Sequence, residues 1–302
     1  MEQCINKPPV VIGGLGGSGT RAVASIVGRA GFYLGSDLND SLDNLWFTLL
    51  LKRPRWFYRQ NDLNVKSATG LSILEKAMKG VPSRSLAEFL FLLNATLEIS
   101  CFGHDRFGSG KGLWPFIRLF NILRARCPAT QYRGWGWKEP NSHLFIESMA
   151  RHFKGLRYIH VIRHGLDMAF SNNRVQLFNW GRHFGVAMPQ SQQGVEAAML
   201  DYWIKSNQSA VRTGNRILQN RFLLINFDDL CLKPRETIDK IYRFLDISPI
   251  DRNTYVEFCD TFHKPEYLGR YKGRDLSGFT SEQVQAVKGF GFSVTPIAGR
   301  PE

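Results

Sequence analysis

The stretch Val10-Val11-Ile12-Gly13-Gly14-Leu15-Gly16-Gly17-Ser18-Gly19-Thr20-Arg21 constrains the fold more than any other. A short apolar run that halts at glycines reads as a buried parallel strand. After it, apolar residues at Val23, Ile26 and Val27 and a stop at Gly31 predict a helix. The strand-to-helix pattern recurs along the chain. "GWGWKEP" (134–140) reads as a short strand ending at Lys138-Glu139, with a helix beginning near Ser142. "LRYIHVIR" (156–163) reads as a strand, followed by a helical "GLDMAFSNNRV". "EAAMLDYWIKSNQSAVRTGN" predicts a long amphipathic helix, "RFLLINFDDL" a strand, and "KPRETIDKIYRFLDI" a helix with Pro234 in its first turn. Such alternation predicts an α/β fold: a central parallel sheet flanked by helices. Residues 180–194 read as a loop. Residues 36–130 read as a helical insertion, broken by a loop at "CFGHDRFGSGKG", within a single domain spanning 1–302.

A chain of 302 residues with 43% hydrophobic and 22% charged residues has the composition of an ordinary globular protein. Its 39 Lys and Arg against 26 Asp and Glu give a net charge of +13, which favours anionic partners. These charges are dispersed and no nucleic-acid-binding motif accompanies them, so no nucleic-acid partner is expected beyond a nucleotide, while contact with a membrane surface is compatible with the charge. No apolar run is long enough to span a membrane, and "MEQCINKPPV" lacks an apolar signal core, so a cytoplasmic location is expected. Cys4, Cys101, Cys127, Cys231 and Cys259 are widely spaced and form no C-x-x-C, so free thiols and no metal site are expected.

A glycine turn between a strand and a helix is a ready anion site, because its backbone N–H groups are unpaired and the helix dipole adds positive charge. Here Gly16, Gly17 and Gly19 allow a close wrap, Ser18 and Thr20 supply hydroxyls, and Arg21 supplies charge. The pattern departs from the G-x-x-x-x-G-K-[ST] loop of nucleoside-triphosphate enzymes, since no lysine precedes the hydroxyl residue. Magnesium is therefore not expected. In "YIHVIRHGLDMAFS", Arg163 ends a strand and Ser171 follows eight residues later, about two turns into the next helix. A guanidinium there can grip a phosphate through two hydrogen bonds, and ligands gather at the carboxyl ends of such strands.

Together these segments resemble the sulfotransferases that use 3′-phosphoadenosine-5′-phosphosulfate (PAPS). By that resemblance, "GGSGTR" (Gly16, Gly17, Ser18, Gly19, Thr20, Arg21) would hold the 5′-phosphosulfate, and Arg163 with Ser171 the 3′-phosphate. "LLINFDDLCLKPRETIDKIYRFLDI" resembles the family's R-Y-E-D-L segment. "RYKGRDLSGFTSEQVQAV" resembles its R-K-G segment, with Arg270, Lys272 and Gly273 as counterparts reaching the 3′-phosphate. The family's cytosolic members carry a lysine where this chain has Gly17. Arg21 and Lys138, the latter in a W-K-[DE]-P segment of bacterial type, are the candidates to supply that charge.

The resemblance implies metal-free transfer of a sulfuryl group to a hydroxyl acceptor, with 3′-phosphoadenosine-5′-phosphate as the other product. The expected acceptor is a small molecule or glycan, a carbohydrate or lipid-linked alcohol. Candidate general bases are Asp43, His143 and Glu139. The stretch "RPRWFYRQ" reads chiefly as core, while Lys52, Arg53, Arg55 and Arg59 suggest that it steers an anionic or sugar acceptor. A nucleotide-dependent kinase and a non-catalytic nucleotide-binding relative are the rival readings.

Overall fold

The structure is a computed structural model and describes residues 7–82, 85–128, 131–189, 194–248, 252–262 and 268–294. Cys4 and residues 190–193 of the expected loop lie outside the described residues. The first strand, β1 (Val10–Gly14), is followed by α1 (Thr20–Arg29) and the two-residue β2 (Phe32–Tyr33). Then come helices α2 (Leu45–Leu51), α3 (Pro54–Phe57), α4 (Leu63–Met78), α5 (Leu86–Phe102) and α6 (Trp114–Leu123). Strand β3 (Gly134–Lys138) leads through a 3-10 helix (Pro140–Phe145) into α7 (Ile146–His152) and β4 (Arg157–Ile162). Helices α8 (Gly165–Ala169), α9 (Val175–Trp180) and α10 (Val195–Ile217) precede β5 (Phe222–Asn226). The rest is helical: α11 (Phe227–Leu232), α12 (Pro234–Phe244), α13 (Arg252–Thr261) and α14 (Ser281–Gly289).

The strands form one central sheet in the order β2-β3-β1-β4-β5. β3 pairs in parallel with β1, Ile12 opposite Lys138, and with β2, Phe32 opposite Gly134. Every residue of β1 and β3 is buried, as expected of parallel strands covered by helices on both faces.

By packing, the chain divides into two compact units: Met1–Gly14, Thr20–His160 and Arg212–Leu223 in the first; Leu15–Gly19, Val161–Val211 and Leu224–Glu302 in the second. The first is centred on aromatic side chains. Phe47 stacks on Trp137 at 6.1 Å and meets Phe145 edge-on at 5.8 Å, while Trp137 tilts against Phe153 at 5.7 Å. In the second, Trp203 packs edge-on to Phe290 at 5.1 Å and donates its indole N–H to the carbonyl of Arg163 at 3.0 Å.

Several expectations need correction. The helix after β4 ends at Ala169, so Ser171 lies beyond it in a turn rather than two turns inside it. Here Gly165 sits against Trp203 and the short α8 stops before α9 begins. The helix expected from Ser142 opens as a 3-10 helix and becomes α-helical only at Ile146, because Glu139 caps the amide of Asn141 and Pro140 occupies the first turn. The last strand stops at Asn226, whose side chain caps α11 by accepting the N–H of Asp228. The stretch 180–194 is not wholly loop, since Gly181–Phe184 forms a 3-10 helix. "RPRWFYRQ" is largely core: Trp56 and Phe57 are buried, and Arg53 is buried against Glu98 at 3.0 Å, whereas Arg55 and Arg59 are exposed.

Candidate functional site

Lys138 and Arg163 stand at or just beyond the carboxyl ends of β3 and β4. In the first unit, Lys138 closes β3 and is buried. Its Nζ donates to Oδ1 of Asp43 at 2.5 Å and to the carbonyl of Ser41 at 2.9 Å. The loop carrying Asp43 is held by two asparagines. Asn39 Oδ1 accepts the N–H groups of Ser41 (3.0 Å) and Asp43 (2.8 Å), and its amide donates to Asp43 Oδ2 at 3.1 Å. The fully buried Asn44 caps α2 by accepting from Phe47 N at 3.0 Å, while its own N–H donates to the carbonyl of Lys138 at 2.8 Å. Between them Leu42 adopts φ 62°, a left-handed conformation costing about 1–2 kcal/mol. That cost is borne where the chain must turn to bring Asp43 onto Lys138. Asp43 keeps 19% of its side chain open.

Around this pair lie other ionisable groups. Glu139 is fully buried, accepts the N–H (2.6 Å) and side-chain amide (2.8 Å) of Asn141, and lies 3.6 Å from Lys52 Nζ. Burial raises its carboxyl above the usual range and Lys52 opposes the rise. His104 is pushed down to about 4 by burial and then by the charge of Lys52, so it is neutral at physiological pH. The ring of His143 is buried and its Nδ1 lies 2.9 Å from the carbonyl of Pro140 within the 3-10 turn. Of the three expected bases, only Asp43 is both partly open and in contact with a cation.

In the second unit, the turn after β1 is closed by Ser18 N–H donating to the carbonyl of Leu15 at 3.0 Å. Gly17 and Gly19 have φ 92° and 93°, a region that side chains disfavour. A β-carbon on Gly19 would also fall 2.0 Å from the ring of Phe227. The Gly16 N–H donates to Gln176 Oε1 at 2.7 Å. Ser18 Oγ is buried and has no hydrogen-bond partner among the described residues. A buried hydroxyl left without a partner costs free energy unless a ligand meets it. The turn enters α1 directly, where Thr20 is buried and Arg21 exposed.

Arg163, directly after β4, is buried. Its guanidinium donates to the carbonyl of Gly17 at 3.3 Å and lies 3.6 Å from Asp167. The other contacts of Asp167 reach the last expected segment: its carboxylate accepts the N–H of Gly269 at 2.8 Å and of Tyr271 at 3.1 Å. Arg270, Lys272 and Gly273 in that turn are exposed, with Gly273 at φ 79°. Asp228, just beyond β5, is pushed up to about 6 by burial, then by Asp167, with Arg163 opposing. Ser171 is half-buried, and its Oγ accepts the N–H of Asn173 at 3.2 Å. The structure thus joins Gly17, Arg163, Asp167 and the 269–271 backbone in one network, and Asp43 to Lys138 in another.

Sequence reasoning missed Asn39, Asn44, His104, Asp167, Gln176 and Asp228. Asn44 carried a readable signal, an asparagine immediately before the apolar run of α2. Asp167 lies four residues after Arg163, a spacing that pairs charges on a helical turn. His104 and Gln176 reach their partners only through tertiary folding. Among the described residues no group of His, Cys, Asp and Glu is arranged to hold a metal ion, and no helix is long and apolar enough to cross a membrane.

No curated protein matches the sequence. Among solved structures, the sulfotransferase domain from the curacin biosynthetic pathway superposes with a TM-score of 0.52 at 14% identity, covering 96% of this chain and 99% of that one. The sulfotransferase domain of the Synechococcus PCC 7002 olefin synthase gives a TM-score of 0.49 at 15% identity, over 98% of each chain. At such identity, the likeness to the curacin-pathway domain speaks for the fold. A sequence model of the sulfotransferase family matches residues 8–251, which include β1, β3, β4 and β5 with Lys138 and Arg163 at their ends. The chain belongs to the sulfotransferase family.

Proposed function

We propose that the protein transfers a sulfuryl group from PAPS to a hydroxyl acceptor, a carbohydrate or lipid-linked alcohol. The observation that carries this reading is the contact between Lys138 and Asp43, a buried cation against a partly open carboxylate at the end of β3. Such a pair serves both ends of an in-line transfer. Asp43 takes the proton of the acceptor hydroxyl, and Lys138 offsets negative charge that grows on the leaving phosphate.

The residues of the turn fit a phosphate-bearing donor. The buried Ser18 hydroxyl lacks a partner among the described residues, and glycines at 17 and 19 carry no side chain that could cover the turn, whereas Gln176 already holds the Gly16 N–H. Gly16, Gly17, Ser18, Gly19, Thr20 and Arg21 would hold the 5′-phosphosulfate. Arg163, Ser171, Arg270, Lys272 and Gly273 would hold the 3′-phosphate, Asp167 fixing the backbone of their last segment. When bound, PAPS supplies the sulfuryl group and a good leaving group. The chain's own part is to orient, to take a proton at Asp43 and to present positive charge at Lys138.

Gly17 stands where cytosolic relatives have lysine, and its φ of 92° makes that side chain unfavourable here. Lys138 is therefore the better candidate for the charge than any residue at position 17. The whole chain is read as one sulfotransferase domain, with 36–130 as the acceptor-side insertion. Incubation with 35S-labelled PAPS and a panel of glycan and lipid alcohols tests the proposal. Labelled product is expected from the wild type and lost in Lys138→Ala. A wild type that labels none of the panel and does not bind 3′-phosphoadenosine-5′-phosphate would overturn it.

A further inference from the structure

Helices α5 and α6 pack against each other. Leu92, Ala95 and Ile99 of α5, and Pro115 and Ile122 of α6, are buried. Yet Phe116, Ile117, Phe120 and Leu123 of α6 lie open, from 39% to 54% exposed, and Leu113 just before them is 77% exposed. Their spacing of one, four and seven residues puts the four on one face of the helix. On α5, Leu86, Leu90 and Leu97, at offsets of four and eleven residues, also share one face and are 48% to 72% exposed. Folding has thus used one apolar face of each helix and left a second in water, larger than the scattered apolar side chains of an ordinary surface.

Charge on this segment is one-sided. Its carboxylates are all withdrawn: Glu88 pairs with Lys76 at 2.7 Å, Glu98 with Arg53 at 3.0 Å, and Asp105 accepts the N–H groups of Phe107 and Ser109, each at 2.9 Å. Lys111, Arg124 and Arg126, flanking α6, are exposed. Arg124 lays its guanidinium 4.4 Å from the Phe120 ring centroid, so that its stem runs along the apolar face. An exposed apolar helix face rimmed by cations, with no exposed carboxylate among the described residues 85–128, complements an anionic lipid surface. Two copies of this chain meeting through the same face would instead bring like charges together.

We propose that the α5–α6 face seats the protein on an anionic bilayer. Phe116, Ile117 and Phe120 enter the boundary between headgroups and acyl chains, and Lys111, Arg124 and Arg126 meet lipid phosphates. This goes beyond the sulfotransferase reading and stands without it. The α6 side is also tied to the loop that carries Asp43, since Arg118 and Asn121 reach Asp37 at 2.9 and 3.0 Å.

The test is co-sedimentation of the full chain with vesicles of phosphatidylcholine alone or mixed with phosphatidylglycerol, at low and high salt. Binding is expected to the mixed vesicles only and to weaken with salt. Phe116→Ser with Phe120→Ser abolishes it while the variant keeps a cooperative melt only slightly below the wild type, since each ring is already about half open to water. Lys111→Gln, Arg124→Gln and Arg126→Gln together weaken it about 100-fold. Absence of sedimentation with mixed vesicles overturns the proposal. So does a concentration-dependent wild-type dimer that Phe116→Ser with Phe120→Ser turns into monomer, which would make the face a contact between copies.

Discussion

Lys138 Nζ touches Oδ1 of Asp43, and the same lysine holds the carbonyl of Ser41, so one buried cation fixes both the carboxylate and the loop beneath it. Asn39 takes the other carboxylate oxygen. As the proposed base, Asp43 would thereby be oriented before an acceptor arrives, which is what proton transfer at a fixed geometry requires.

Asp43→Asn should lower kcat by about 100-fold or more with little change in KM for the donor, because the amide keeps the size and loses the basicity. Steady-state transfer assays check this. His143→Ala should leave kcat within a few-fold and cost about 1 kcal/mol of stability through its lost contact with the Pro140 carbonyl. A large loss of kcat in His143→Ala together with a normal Asp43→Asn would reassign the base.

Gly17→Lys should not improve donor binding, although it restores the residue that cytosolic relatives carry. Its backbone at φ 92° disfavours a side chain by about 1–2 kcal/mol, so a lower melting temperature is expected. Gly19→Ala should be worse, since a β-carbon there meets the Phe227 ring as well as the strained φ. Thermal melts of the two variants should rank in that order.

Asp167→Ala should weaken binding of 3′-phosphoadenosine-5′-phosphate at least 10-fold while leaving kcat at saturating donor nearly unchanged. It removes the acceptor for Gly269 and Tyr271 and the ion-pair partner of Arg163, without touching Asp43 or Lys138. Asp167→Asn, which keeps one acceptor oxygen, should recover part of the affinity in a calorimetric titration.

Asp228 makes stability depend on pH. Its carboxyl is raised in the folded state to about 6 from an ordinary value of 3.8, so folding favours the protonated form. Its contribution to stability is therefore most favourable below about pH 4 and declines as pH rises towards 6, where the group ionises in the folded protein as well. Asp228→Asn should melt above the wild type at pH 7 to 8, roughly, and the two curves should converge near pH 4. A variant less stable than the wild type under mildly alkaline conditions would contradict the sign.

Much of the sheet was legible because its strands are short apolar runs punctuated by glycine, proline or charge, and β1, β3 and β4 lie within a residue or two of where those marks put them, whereas the two-residue β2 is too short to leave such a run. The end of β5 was not, because "INFDDL" stays apolar enough to continue a strand and only the Asn226 cap turns it into α11. Ser171 was misplaced for a similar reason. Nothing in "GLDMAFS" states that the helix stops at Ala169, since no proline or glycine follows it there. Of the site, Lys138 and Arg163 were visible as charges at strand ends. Asn39 and Asn44, which hold the Asp43 loop against Lys138, lie on a loop and a helix cap, and Asp167 lies in the five-residue α8, places where polar residues are common and their targets are set by tertiary folding.

PAPS-dependent chemistry is tested most simply by comparing ligand-induced stabilisation. Melting temperatures are measured with 3′-phosphoadenosine-5′-phosphate and with ATP plus magnesium, for the wild type and for Arg163→Ala. If PAPS is the donor, the bisphosphate raises the wild-type melting temperature with or without magnesium, ATP does so little, and Arg163→Ala loses the response. Stabilisation by ATP with magnesium and none by the bisphosphate would contradict that reading and move the protein to nucleoside-triphosphate chemistry.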